Sequence, residues 1–171
     1  MKKLIIFSLL SFLLLPVFSQ DATVLTAILQ KEKANYIDFS YMIASELGRD
    51  GTPFEAYTYC DRYGNYKFTD VADKPISVKT VSYFLMSNYN IKGGIMWSAF
   101  KNPRYAYKEL KKTGFWPQGT DPDMTLSGRD LLRAISRFFA AYPNSKLNNP
   151  PTQEATAVQR KALLADKETV K

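Results

Sequence analysis

Few residues of this 171-residue chain can do chemistry, and one type is missing altogether: there is no histidine. The commonest general base and the commonest metal ligand are therefore absent. Cys60 is the single cysteine. With no second thiol and no histidine beside it, it reads as an inert group on the apolar side of a helix. The carboxylate pairs Asp70/Asp73 and Asp121/Asp123 lie in turn-rich stretches, and two side chains fall short of the roughly six to eight oxygens that calcium takes. Glu46, Glu55 and Glu109 fall on separate helices, whereas glycoside hydrolysis needs two facing carboxylates about 5–9.5 Å apart. A carboxylate-based glycan hydrolase thus ranks last among the readings. No enzyme, cofactor or metal is expected.

Recognition chemistry remains. Ser77 and Ser127 each open a helix, and Lys79 and Arg129 stand two residues further on. Helix starts present unpaired N–H groups and a positive dipole end, which suit a carboxylate or a phosphate. Trp97 and Trp116, with Tyr105 and Tyr107, offer rings for sugar stacking, although rings at helical spacing more often fill a core. The candidate ligand-binding set is Ser77, Lys79, Ser127, Arg129, Trp97 and Trp116. If the helix starts fail as an anion site, the apolar insert from Ile95 to Phe100 is the next contact surface.

These residues must be positioned by a repeat. Pro53 opens a helix with Ala56, Tyr57 and Cys60, Gly64 stops it, and Ile76-Ser77 opens a second helix with Val81, Leu85 and Tyr89. Fifty residues later and without a gap, Pro103 opens Ala106, Tyr107 and Leu110, Gly114 stops it, and Leu126-Ser127 opens Leu131, Ile135 and Phe139. Self-similarity at this period marks stacked supersecondary units. Upstream, Asn35 to Leu47 reads as the second helix of a partial unit, with Asp38 as its cap, Ile37-Asp38 in the place of Ile76-Ser77, and Gly48 closing it. Val24, Leu25, Ile28 and Leu29 also fall at helical spacing. Gly93-Gly94 is expected to end the Ser77 helix. The fold class is all-α: two helix-loop-helix units plus a partial third.

The ends read differently. Lys2 and Lys3, the apolar run Leu4 to Leu15, the break at Pro16 and Val17-Phe18-Ser19 make residues 1–19 a signal peptide cleaved after Ser19. Residues 20–143 form the helical domain. Residues 144–171 carry two prolines and few large apolar side chains, and are expected to be a flexible polar tail. Formal charge is +7; without Lys2 and Lys3, 21 basic residues face 16 acidic ones, a surplus of +5. That surplus favours anionic envelope polymers or lipid headgroups, and the basic residues read as dispersed along the chain. Export argues against nucleic acid.

The order Ala106 to Leu110, Gly114-Phe115, Pro117-Gln118-Gly119, Pro122 and Leu126-Ser127-Gly128-Arg129-Asp130 resembles the S-layer homology repeat. Phe68-Thr69-Asp70-Val71 resembles the element that opens such repeats, and the likeness spans about Asp38 to Phe139. The stretch from Gly93-Gly94-Ile95-Met96-Trp97 to Leu110 also resembles exported helical domains of spirochaetes. The first resemblance implies a cell-envelope module whose motif arginine holds an anionic wall glycan between repeats. The matching positions here are Val78 and Gly128. Lys79 and Arg129 lie one residue later, about 100° around the helix. The expectation is thus an exported, periplasmic or envelope-associated, non-catalytic module. Its partner is an envelope protein or an anionic envelope glycan, and its mature chain is soluble and membrane-adjacent. The alternative is a structural or assembly subunit of the envelope.

Overall fold

The computed structural model describes residues 16–49, 51–63 and 71–143. The expected signal peptide up to Leu15, the expected Gly64 stop, Tyr66, the Phe68–Asp70 element and the expected polar tail lie outside them. Seven helices and no sheet occupy the described residues: α1 (Pro16–Leu29), α2 (Tyr36–Glu46), α3 (Pro53–Tyr63), α4 (Val78–Asn88), α5 (Ile95–Phe100), α6 (Pro103–Lys112) and α7 (Gly128–Ala141). The domain is all-α.

The fifty-residue offset holds at the helix starts. Pro53 and Pro103 open α3 and α6, and Ser77 and Ser127 immediately precede α4 and α7. Ala56, Leu85, Ala106 and Ile135 occupy matching positions and are all buried. Local chemistry explains the starts. Thr52 and Glu55 form a capping box, the Thr52 N–H donating to Glu55 Oε2 at 2.8 Å and the Glu55 N–H to Thr52 Oγ1 at 3.3 Å. Pro103 sits where a helix has no N–H to lose, behind the Asn102 cap.

The first unit, visible in the sequence through its second helix, is completed by α1. Its cap is Asn35, three residues before the expected position. Asn35 Oδ1 accepts from the Asp38 N–H, and Asp38 Oδ2 accepts from the Asn35 N–H, each at 2.9 Å. Asp38 is therefore the return arm of the capping box, with Lys31 Nζ 2.7 Å from its other oxygen. The residues equivalent to Ile76-Ser77 and Leu126-Ser127 are Ala34-Asn35. The Ser77 helix also ends earlier than Gly93-Gly94. Asn90 takes a left-handed φ of 52°, and the Ile91 N–H reaches back to Met86 O at 3.0 Å. Asparagine tolerates that conformation because its side chain is short and polar.

Two rings close the domain. At the centre, Ala34 N–H donates to Leu126 O (2.8 Å), Leu126 N–H to Ile76 O (3.4 Å) and Ile76 N–H to Ala34 O (2.9 Å). Each unit contributes one buried residue, and the cycle satisfies backbone groups that have no access to water. Around it, the second helix of each unit packs on the first helix of the next: α2 on α3, α4 on α6, and α7 back on α1. Phe39 meets Phe84 edge-on at 4.9 Å, and Phe138 does the same to Tyr89 at 5.1 Å, so aromatic pairs join the units inside. The last closure depends on Gly128. A Cβ there would stand 1.9 Å from the backbone oxygen of Ile28, so only glycine lets α1 lie against the start of α7.

Candidate binding surface

The helix starts singled out by sequence are brought near one another but are already engaged. The Val78 and Lys79 N–H groups donate to Met124 O (3.0 Å) and Pro122 O (2.9 Å), so the connector before α7 plugs the start of α4. The Gly128 N–H donates to Lys31 O at 3.0 Å, which plugs the start of α7 from the first unit. Ser127 Oγ accepts from the Asp130 N–H at 3.2 Å, whereas Ser77 Oγ pairs with Thr80 Oγ1 at 2.9 Å. The Lys79 ammonium is paired with Asp123. Arg129 is exposed and has no side-chain partner among the described residues. Val78 and Gly128, where the resembled family carries its arginine, are both buried, and the Ile28 carbonyl leaves no room for a side chain at Gly128.

The two tryptophans belong to the core rather than to a stacking platform. Trp97 is buried edge-on to Tyr83 at 5.8 Å. Trp116 is buried against Phe115, and its indole N–H donates to Ser82 Oγ at 2.8 Å, which holds the connector after α6 onto α4. A cavity of about 290 Å³ opens beside it, between that connector and α7. Its charged residues are each paired within the chain: Arg133 bonds Asp130 at 3.0 Å, and Arg137 Nη1 donates to Phe115 O at 2.8 Å.

Two buried titratable groups also serve the interior. Burial pushes the Cys60 thiol up to about 12, against a weaker opposing pull from its Ser40 contact. The Tyr89 hydroxyl is raised by burial first and then by the neighbouring Cys60, Tyr59 and Glu46, and no hydrogen bond reaches it. A thiol that keeps its proton is a poor nucleophile. Among the described residues, no group of three or more His, Cys, Asp or Glu side chains is placed to hold a metal ion.

The surface that stands out is α5. Of the large apolar side chains exposed among the described residues, three lie on this one short helix: Ile95 (87% exposed), Phe100 (59%) and Met96 (45%). Only Trp97 turns inward. The Phe100 ring lies 5.8 Å from that of Tyr105 on α6, and Lys108 Nζ stands 5.7 Å from the same Tyr105 ring. Arg104, Lys108 and Lys112 follow one another at four-residue spacing along the exposed side of α6. From Ile91 to Lys112 the chain carries six basic residues against Glu109 alone, an excess of +5. The whole-chain reading of dispersed charge hid this local concentration.

The α5 segment is also an addition to the ring. α2 and α3 pack together across a connector of residues 47–52, whereas the corresponding pair α4 and α6 is joined by residues 89–102, with α5 inside. The ring closes at the first junction without such a helix. Glu109, the one acid of the segment, is half-buried beside the α5 start, where a Cβ on Gly94 would come within 2.8 Å of its Oε1. Comparison with protein-family models, with curated proteins and with solved structures finds no match to this chain.

Proposed function

We propose that this protein is an exported, non-catalytic module of the cell envelope that binds an anionic envelope partner through α5 and the outer side of α6. One observation carries the proposal. A six-residue helix with no counterpart at the first junction turns three large apolar side chains to the outside, among a local excess of basic residues. Scattered single apolar residues are normal on a surface, but a cluster with a charged rim marks a contact site. The signal-peptide pattern of residues 1–19 and the resemblance to the S-layer homology repeat support the envelope address. The plugged helix starts favour α5 over Lys79 and Arg129, since the Val78, Lys79 and Gly128 amides are bonded within the chain.

The test compares two double variants for association with the protein's own envelope fraction at low and moderate salt. Ile95→Ser with Phe100→Ser is expected to lower association severely, and Lys79→Gln with Arg129→Gln to leave it within about twofold. The reverse pattern overturns the proposal and restores the helix starts as the anion site.

A further inference from the structure

We infer that the partner of the α5–α6 surface is an anionic lipid leaflet, on which the protein sits peripherally by inserting Ile95, Met96 and Phe100 between headgroups. The inference rests on the α5–α6 reading of the preceding section and names its partner. Size favours lipid over protein. Six helical residues span about 9 Å, while a specific protein interface covers about 800 Å² on each partner. The apolar part of this surface is a small knob and the residues around it are charged, so it lacks the broad apolar centre of a protein interface. A membrane boundary makes no such demand. A few large apolar side chains at headgroup depth, together with nearby cations, give reversible attachment.

The charges fit the same partner. Lys92 and Lys101 flank α5 and are exposed, and Arg104 and Lys108 follow on the outer side of α6. Lysine and arginine can lay their methylene stems along the acyl boundary and keep the charge at the phosphates. Glu109 is drawn in beside Gly94, leaving no fully exposed carboxylate in the segment. Among the described residues no helix is long and apolar enough to cross a membrane, so the attachment proposed is to the surface.

The test uses the protein purified from exporting cells, wild type and variants sharing one N terminus, in flotation with two kinds of vesicle. One kind is phosphatidylcholine alone and the other contains one-third phosphatidylglycerol. Wild type is expected to float with the anionic vesicles only, and moderate salt to weaken it. Each surface-proximal basic residue contributes about fivefold, so Lys101→Gln, Arg104→Gln and Lys108→Gln together should cost on the order of a hundredfold. Ile95→Ser with Phe100→Ser should abolish flotation while circular dichroism stays native, both residues being exposed. Wild type that ignores anionic vesicles, yet needs Ile95 and Phe100 to stay with its envelope, overturns the lipid inference and leaves the α5 surface standing. If Ile95→Ser with Phe100→Ser leaves both flotation and envelope association unchanged, the inference and the reading beneath it both fall.

Discussion

The substitution Gly128→Ala tests how the domain closes, because two effects oppose each other there. Alanine is the better helix former by about 1 kcal/mol, so an open position would gain stability from the change. Gly128 is not open. The added methyl would stand 1.9 Å from Ile28 O, 2.7 Å from Ile28 C and 3.1 Å from Leu29 Cα, all backbone atoms that cannot rotate away. α1 must therefore move by more than 1 Å to restore a contact near 3.3 Å, the close limit for carbon against oxygen. That shift strains the Gly128–Lys31 hydrogen bond, about 1 kcal/mol. It also opens the burial of Ile28, about 1.5–3 kcal/mol when complete. With both lost and the propensity gain set against them, the net is about 2 kcal/mol of destabilisation. The melting temperature should fall by about 8 °C, at roughly 4 °C per kcal/mol for a domain of this size. Urea unfolding followed by far-ultraviolet circular dichroism measures it, with Gly119→Ala as control. A Cβ on Gly119 meets nothing within 4 Å, so that variant should stay within about 0.5 kcal/mol. A Gly128→Ala protein as stable as the wild type would refute the reasoning, since α1 could then not be packed where it is.

Three further outcomes are expected. Trp116→Phe loses the 2.8 Å indole bond to Ser82 and part of a buried ring, which should cost about 1–3 kcal/mol in the same assay; an unchanged midpoint would mean the connector is not pinned to α4. Thr52→Ala removes one arm of the α3 capping box and should cost about 1 kcal/mol, with full stability arguing that Pro53 alone sets the helix start. Cys60, held protonated up to about 12 by burial, should resist thiol reagents near neutral pH until the chain is unfolded. Its linkage follows in sign: between its ordinary value of 9.0 and about 12 the unfolded chain releases this proton and the native chain does not, so stability falls as pH rises through that window. Cys60→Ala should flatten that fall, and a native thiol that reacts at the unfolded rate would contradict its burial.

What the sequence made legible follows from what each residue does locally. Pro53, Pro103, Ser127, Gly48 and Gly114 shape their own backbone or its immediate neighbours, so the helix ends they set are written in a few adjacent positions. Gly48 and Gly114 do take left-handed φ of 66° and 76°. The first unit was harder to see because residues 30–35 join its helices directly, without the Gly-to-Ser connector that aligned the other two. Asp38 and Asn35 are reciprocal members of one capping box, and a pattern of acceptors three apart does not say which comes first. The plugged helix starts were not legible at all. The carbonyls of Met124, Pro122 and Lys31 reach them from other units, and a backbone carbonyl has no signature in side-chain sequence. The α5 surface was half legible: its composition was plain, but only packing decides which of Ile95, Met96, Trp97 and Phe100 turns inward.

Ring closure and the proposed export meet at α1. This helix runs from Pro16 to Leu29, across the expected cleavage point at Ser19. Among the α1 side chains described, from Ala22 onward, Ile28 is buried and Val24, Leu25 and Leu29 are half-buried against the core. Cleavage after Ser19 would keep these four side chains, and Gln20 is the first residue expected in the exported protein. A cut ten residues further on would remove all four. Their burial is worth about 5 kcal/mol together, counting Ile28 as complete and the others as partial. Domains are commonly stable by only about 5–15 kcal/mol, so a chain beginning at Gln30 should lose its cooperative unfolding transition, while one beginning at Gln20 keeps it. N-terminal sequencing of the exported protein, with urea unfolding of both truncated chains, decides the matter. An exported chain that still begins at Met1 would sink the processing step, and a fully cooperative chain beginning at Gln30 would show that α7 does not need α1 to close the ring.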